Sequence, residues 1–453
     1  MTTWETSTAG DIAAAVREGR AVPRQVVADR LARIERLDGR IGAFRTVRAA
    51  AALAEADAVA ARPDLDRLPL AGVPVAVKDN VPVRGEATRS GSAATSAAPA
   101  SADHPAVARL RAAGAVVVGL TNVPELCVFP TTDGPYGTAR NPWDLRRTAG
   151  GSSGGGAAAV AAGLVPLALG NDGLGSLRIP AANCGVVGFR AGHGAVPSGL
   201  GASSWFGMAE NGPLAGTAED ARLMYAVLAG EPAQDPAPAS LLRVALSVRS
   251  PMPGLRVAGA WTTAVEEAAK VLTKAGHEVV PAEPPYPAWL GAAALARWTA
   301  GTAEDAAGLD PALLAPRTRR HAAAGRLAAR AGLLRTDHRA RLRAVMDPFF
   351  ERYDVLLTPA LARRGPLAAD SAGRGWADRG WLPNLVDSAR YAPMSAVWNI
   401  AGWPALSVPF GRLGSGAPCA VQLVGRSGSE HRLLDLVRQI EELRPWTRLA
   451  PVG

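Results

Sequence analysis

Between Thr148 and Arg178 the chain reads TAGGSSGGGAAAVAAGLVPLALGNDGLGSLR, two serine-bearing glycine turns separated by a short helix-forming stretch and a short apolar strand. Glycine lets the backbone come close to a reacting group and present N–H donors to it, and a serine in such a turn is exposed at the end of an element, where its hydroxyl can attack. Ser152 and Ser153 occupy the first turn and Ser176 the second. A serine hydroxyl is a weak nucleophile and needs a base. Lys78, which ends the apolar run VPVAV, can supply one. Only three of the 49 basic residues are lysines, and the other two, Lys270 and Lys274, lie four apart on the charged side of an amphipathic helix beside Glu266 and Glu267. Arginine cannot replace a lysine that must lose its proton, because guanidinium stays charged in a folded protein. A chain that writes nearly every basic residue as arginine and keeps lysine at the end of a buried strand therefore points to acid–base chemistry at Lys78.

Other motif readings fare worse. Residues 151–155, GSSGG, match G-x-S-x-G and would make Ser153 the nucleophile of an elbow, but that turn needs a buried strand before it and NPWDLRRTA is polar. No glycine run ends in G-K-[ST], and no serine stands three residues before a lysine, which removes phosphate-loop and penicillin-binding chemistry. The six histidines are isolated, the three cysteines (Cys127, Cys184, Cys419) have no metal-type spacing, and no metal or cofactor is expected.

The elements that must carry these residues follow from periodicity. Helices are expected over Asp11 to Glu18, Pro23 to Leu37, Thr46 to Ala61, Asp103 to Ala113, from Ser152 to Gly163 and over Thr262 to Ala275. Strands are expected at VPVAV, AVVVGL, VPLALG, CGVVGF, LLRVALSV, YDVLLTPA and PALSVPFG. Helices alternating with buried strands imply an α/β fold, one domain over residues 1–453 around a central, mostly buried sheet. Residues 284–389, helical, arginine-rich and tryptophan-bearing, are expected to form a substrate-covering region within it.

With 48% hydrophobic and 20% charged residues the chain can bury a large core. The N-terminus lacks a basic segment followed by an apolar run, and glycine and proline break each apolar stretch short of a membrane span, so a cytoplasmic protein is expected. The net charge of +9 is mostly scattered. Between Arg317 and Arg343, however, nine arginines meet one acidic residue, Asp337. A solvated helical face accounts for them; a docking face for an acidic carrier or partner protein is the alternative. Nucleic acid is not expected, since no aromatic residue in the segment could stack a base.

Ordered patches along the chain, AGVPVAVKDN, LRAAGAVVVGLTNVPE, YGTARNPWD, GGSSGGGAAAVAAGLVPLALGNDGLGSLRIPAANCGVVGF, YDVLLTP and WNIAGWPALSVPFG followed by AVQLVGRSGSE, resemble the amidase signature family. The resemblance implies a large twisted mixed sheet between helices and hydrolysis of carboxamides without metal or cofactor. It implies Ser176 as nucleophile, Ser152 as bridging serine behind a cis Gly151–Ser152 peptide, and Lys78 as base. The backbone N–H groups of Gly173, Leu174, Gly175 and Ser176 would hold the oxyanion, with Ser153, Asp172 and Arg178 in support. Two departures stand out: Leu174 replaces the usual first glycine of Gly-Gly-Ser, and Asn171 replaces the usual threonine. A positive φ at Leu174 would strain the turn. The usual Lys-Pro-Thr after the CGVVG strand is Arg190-Ala191-Gly192. Trp398 and Trp403 are read as core, whereas Trp376 and Trp381, in AGRGWADRGWLPN, are expected to wall an apolar pocket with Leu174 at its floor. The expected partner is a small-molecule amide, apolar or aromatic; a homodimer is compatible with the chain, and a membrane is not expected. Two further classes stay open: an amidotransferase or amide-forming acyltransferase, and a non-catalytic binding protein on the same fold.

Overall fold

The computed structural model describes residues 4–201, 203–232, 240–369 and 375–452. Strands Pro74–Lys78, Val116–Thr121 and Leu167–Asp172 are buried at every position. Their runs of valine, leucine and alanine suit strands covered on two sides. They are parallel, with Pro74–Lys78 in the middle. From one edge, the eleven-stranded sheet runs Phe44–Val47, Val116–Thr121, Pro74–Lys78, Leu167–Asp172, Glu210–Ala215, Val187–Arg190, Ala405–Arg412, Pro418–Val424, Val355–Pro359, Arg243–Leu246, Glu278–Pro281. Arg243–Leu246 is parallel to both its neighbours, and the remaining pairs are antiparallel, so the sheet is mixed. No helix among the described residues is long and apolar enough to cross a membrane.

The alternation of helices and buried strands matches the expected α/β fold, with four strands added. Phe44–Val47 extends the chain where a helix from Thr46 is expected; the helix starts at Ala49, after the strand has paired with Val116–Thr121. Glu210–Ala215, ENGPLA, lies in the middle of the sheet and is fully buried, although it holds glycine and proline and no β-branched residue. Tertiary contacts override its local preference. Glu278–Pro281 and Pro418–Val424 are the other two.

The helix Gly154–Ala161 follows the first serine turn and is buried on every face. Its glycines lower helix propensity by about 1 kcal/mol each. Close approach explains them: a Cβ on Gly155 would stand 2.7 Å from the backbone nitrogen of Asn122. Residues 284–389 supply helices Leu290–Asp305, Pro316–Arg330, His338–Arg352 and Trp381–Tyr391, and also the sheet strand Val355–Pro359. Trp398 and Trp403 are core, packed with Phe350 and Met346 in a second apolar cluster beneath these helices.

Candidate active site

Lys78 and Asn171 stand at the same end of two adjacent parallel strands, since Val77 pairs with Leu169. Open sheets place ligand sites at the carboxyl ends of such strands. Lys78 is fully buried. Its Nζ lies 2.8 Å from Ser152 Oγ, 2.6 Å from Asn171 Oδ1 and 3.3 Å from the Asn171 carbonyl oxygen. Burial lowers its pKa, against smaller raising effects from Cys127 and Asp172. Asn171 Nδ2 in turn donates to Asn80 Oδ1 at 2.7 Å, which fixes which end of the amide faces the lysine. The threonine-to-asparagine departure therefore puts a side-chain acceptor on Lys78 Nζ.

The two serine turns are tied together. Ser153 donates its N–H to the carbonyl of Ser176 at 3.1 Å and its Oγ to the carbonyl of Asn171 at 3.1 Å. Ser153 is buried and follows the small two-stranded hairpin of Arg140–Asn141 and Asp144–Thr148, not a strand of the main sheet, so the elbow reading lacks its strand. The Gly151–Ser152 peptide is cis.

The second turn is braced by a buried ion pair. Arg178 Nε and Asp172 Oδ2 lie 2.9 Å apart with both side chains wholly buried. Burial alone would raise the Asp172 pKa, but Arg178 outweighs it and holds the carboxylate well below its ordinary range. Asp172 also accepts the N–H of Gly175 at 2.6 Å, and of Leu177 at 3.2 Å. Asn399 Oδ1 and Gln422 Oε1 take further N–H groups of Arg178 at 2.6 and 2.8 Å. Asp172 and Arg178 thus act through the backbone of the turn. Of the expected oxyanion set, Gly175 directs its N–H to Asp172 Oδ1. Positive φ falls on Gly175, at +112°, and not on Leu174, so leucine sits in the turn without left-handed strain. Arg190, in place of the usual lysine, is buried and donates to the carbonyl of Trp403 at 2.8 Å.

Ser176 is half-buried where two cavities meet. One, of about 200 Å³, has mixed polar lining that includes Asn80, Cys127, Ser152, Asn171 and Asp305. The other, of about 310 Å³, is lined by Leu174, Phe129, Ile179, Leu290, Trp298 and Val397 among others, and carries no charged side chain among the described residues. Trp205 borders both. No histidine lines either cavity.

Leu174 lines the apolar cavity, and Trp376 and Trp381 do not line it. Trp376 is buried and faces a separate surface hollow with Pro366, Leu367 and Pro383. Trp381 stands one layer behind the wall. Its Nε1 donates to His321 Nδ1 at 2.9 Å, and the His321 ring packs edge-on against Phe129 and Trp298. Residues 372–374 of the stretch expected to cover the pocket lie outside the described residues. Trp205 and Trp298 are the tryptophans that reach the cavity. Trp205 comes from a left-handed turn that nothing in SSWFG announces, with φ of 49°, 53° and 58° at Ser204, Trp205 and Phe206. Arg317, first of the arginine-rich segment, is buried against Asp133 Oδ1 at 3.3 Å and lies over the Phe129 ring at 4.7 Å, while Arg339 and Arg343 donate to backbone carbonyls. Part of that segment is structural.

Residues 25–434 match the family model described as Amidase. A Mycobacterium tuberculosis protein assigned to the amidases and named AmiB2 is 41% identical over 440 residues, covering 93% of this chain and 92% of its own length. The solved structure of a 6-aminohexanoate cyclic dimer hydrolase in complex with its substrate superimposes with a TM-score of 0.86 at 27% identity, over 100% of both chains. That of a bacterial aryl acylamidase described as belonging to the amidase signature enzymes gives 0.81 at 25% identity, over 97% of this chain and 96% of that one.

Proposed function

The chain is an amide-hydrolysing member of the amidase signature family, and from that premise we propose that it works through an acyl-Ser176 intermediate, with Ser152 relaying protons between Ser176 and a neutral Lys78. The observation that carries this reading is the set of partners around Lys78 Nζ. A neutral amine has two N–H donors and one lone pair. Asn171 Oδ1 and the Asn171 carbonyl take the two donors, and the lone pair is left for the hydroxyl of Ser152.

In the forward step Ser176 Oγ bonds to the amide carbonyl carbon, while its proton passes to Ser152 and the Ser152 proton to Lys78. The N–H groups of Gly173, Leu174 and Ser176 hold the oxyanion. The C–N bond then breaks as Ser152 gives a proton to the departing nitrogen and recovers one from Lys78. Water attacks the acyl ester through the same relay, and the carboxylic acid leaves Ser176 free. The acyl group fits the apolar cavity, because a dry site of about 150 Å³ already takes a benzene ring and this one is about twice that, at 310 Å³. Helices Leu290–Asp305 and Trp381–Tyr391 of the 284–389 region supply part of its wall, which supports that region's covering role.

Amine release from a panel of benzamides, branched aliphatic amides and acetamide tests this reading. Turnover of benzamides above acetamide, abolished by Ser176→Ala in a folded protein, is expected. Turnover that survives Ser176→Ala overturns the assignment.

A further inference from the structure

Asp305 is the one charged side chain lining the polar cavity among the described residues. It ends helix Leu290–Asp305, and its Oδ2 accepts the indole N–H of Trp205 at 2.6 Å. A carboxylate offers about four acceptor sites, so one indole donor leaves most of that capacity unused. Burial raises its pKa, the Trp205 bond lowers it and Glu304 raises it again, to about 6 overall. No cation takes part in that balance, and Glu304 is itself turned to the hydroxyl of Ser203. Asp305 is half-buried, and a carboxylate partly withdrawn from water without a counter-charge is stabilised by a cation arriving in the cavity.

Which end of the substrate meets Asp305 follows from Ser152. It lines the polar cavity and not the apolar one. Since Ser152 protonates the departing nitrogen, the leaving amine exits on the Asp305 side and the acyl group lies on the Leu174 and Trp298 side. We propose that Asp305 binds an ammonium group carried by the leaving amine, so that the preferred substrates are monoacylated diamines, with an apolar acyl group on one nitrogen and a free amino group at the far end of a short chain. This proposal rests on the hydrolase reading above.

The test compares N-(3-aminopropyl)benzamide with N-butylbenzamide, in which a methyl group replaces the ammonium, at pH 8. The wild type is expected to favour the amine in kcat/KM by at least about tenfold, as a buried charged contact allows. Asp305→Asn, which can still accept the Trp205 indole, is expected to bring that ratio to within about threefold of one. A residue that only braces Trp205 moves both substrates together and leaves the ratio intact. No preference in the wild type, or a preference that survives Asp305→Asn, overturns the proposal. Calorimetric binding of the same two probes to the Ser176→Ala protein separates the two readings. A binding preference that depends on Asp305, with neither probe hydrolysed by the wild type, would contradict the hydrolase reading and support the Asp305 site. Hydrolysis of both probes with no binding preference would do the reverse.

Discussion

Lys78 is buried in apolar surroundings with neutral partners, and its lowered pKa follows from that burial. The sign for catalysis is direct: only the neutral amine accepts a proton, so kcat/KM rises as pH rises through the lowered lysine value and then levels. A profile flat over that range would contradict the role. Lys78→Arg keeps the charge and removes proton acceptance, and a drop of at least about 1,000-fold in kcat is expected, with thermal melting confirming the fold. In the proposed mechanism Asn171 positions Lys78. Asn171→Ala removes the acceptor at 2.6 Å from Nζ and is expected to lower kcat by about 10- to 100-fold with little change in KM. Asn171→Asp, which adds a negative charge beside the lysine, is expected to move the ascending limb to higher pH. An unmoved limb would mean that Asn171 does not hold the base. At this scale the sequence was highly legible. Lysine scarcity singled out Lys78, glycine turns singled out Ser152, Ser153 and Ser176, and the family resemblance chose Ser152 over Ser153. Asn171 could be seen only as a departure, because its partner Asn80 lies 91 positions away.

The element that carries Ser176 depends on one backbone conformation. Gly175 takes φ +112°, and a Cβ there would meet Ser395 Oγ at 2.6 Å. Gly175→Ala is therefore expected to lower stability by about 1–3 kcal/mol and to depress kcat with it, read by denaturant unfolding and steady-state kinetics. Helix Pro316–Arg330 contributes His321 to the layer behind the apolar cavity, where burial holds its pKa at about 3. The unfolded chain binds a proton there near pH 6.5 and the folded chain does not. Stability that is full above about 6.5 is lost as pH falls toward 3, at about 1.4 kcal/mol per unit. Melting curves of wild type and His321→Gln should converge on acidification; parallel curves would contradict a neutral buried His321. Strands rich in valine and leucine were legible because burial on two sides writes itself as an apolar run. Glu210–Ala215 was not, since glycine and proline in a central strand are set by its neighbours.

Across the whole molecule, the fold brings Lys78 to Ser152, and Ser152 and Ser176 to one cavity, from distant positions in the chain, and the space around Ser176 has a polar and an apolar side. Composition led to the expectation of a covering region over residues 284–389 but did not indicate which tryptophan faces inward. Trp376 and Trp381 stand in a polar, glycine-bearing stretch that reads as a loop, yet Trp381 begins a helix and points to His321. Trp298, eighty-three positions before it, reaches the cavity from another helix, and its Nε1 is fixed on the Val128 carbonyl at 2.8 Å. Trp298→Ala is expected to raise KM for a benzamide by about 10-fold or more while sparing acetamide, an effect of about 1–3 kcal/mol. Equal losses on both substrates would assign Trp298 to folding. Which atom the substrate acylates decides the proposed mechanism. Mass spectrometry of peptides from protein quenched during turnover of an activated aryl ester should find the acyl adduct on Ser176, absent in Ser176→Ala and slow to form in Lys78→Arg. An adduct on Ser153 or Cys127, or one that forms at the wild-type rate without Lys78, would contradict it.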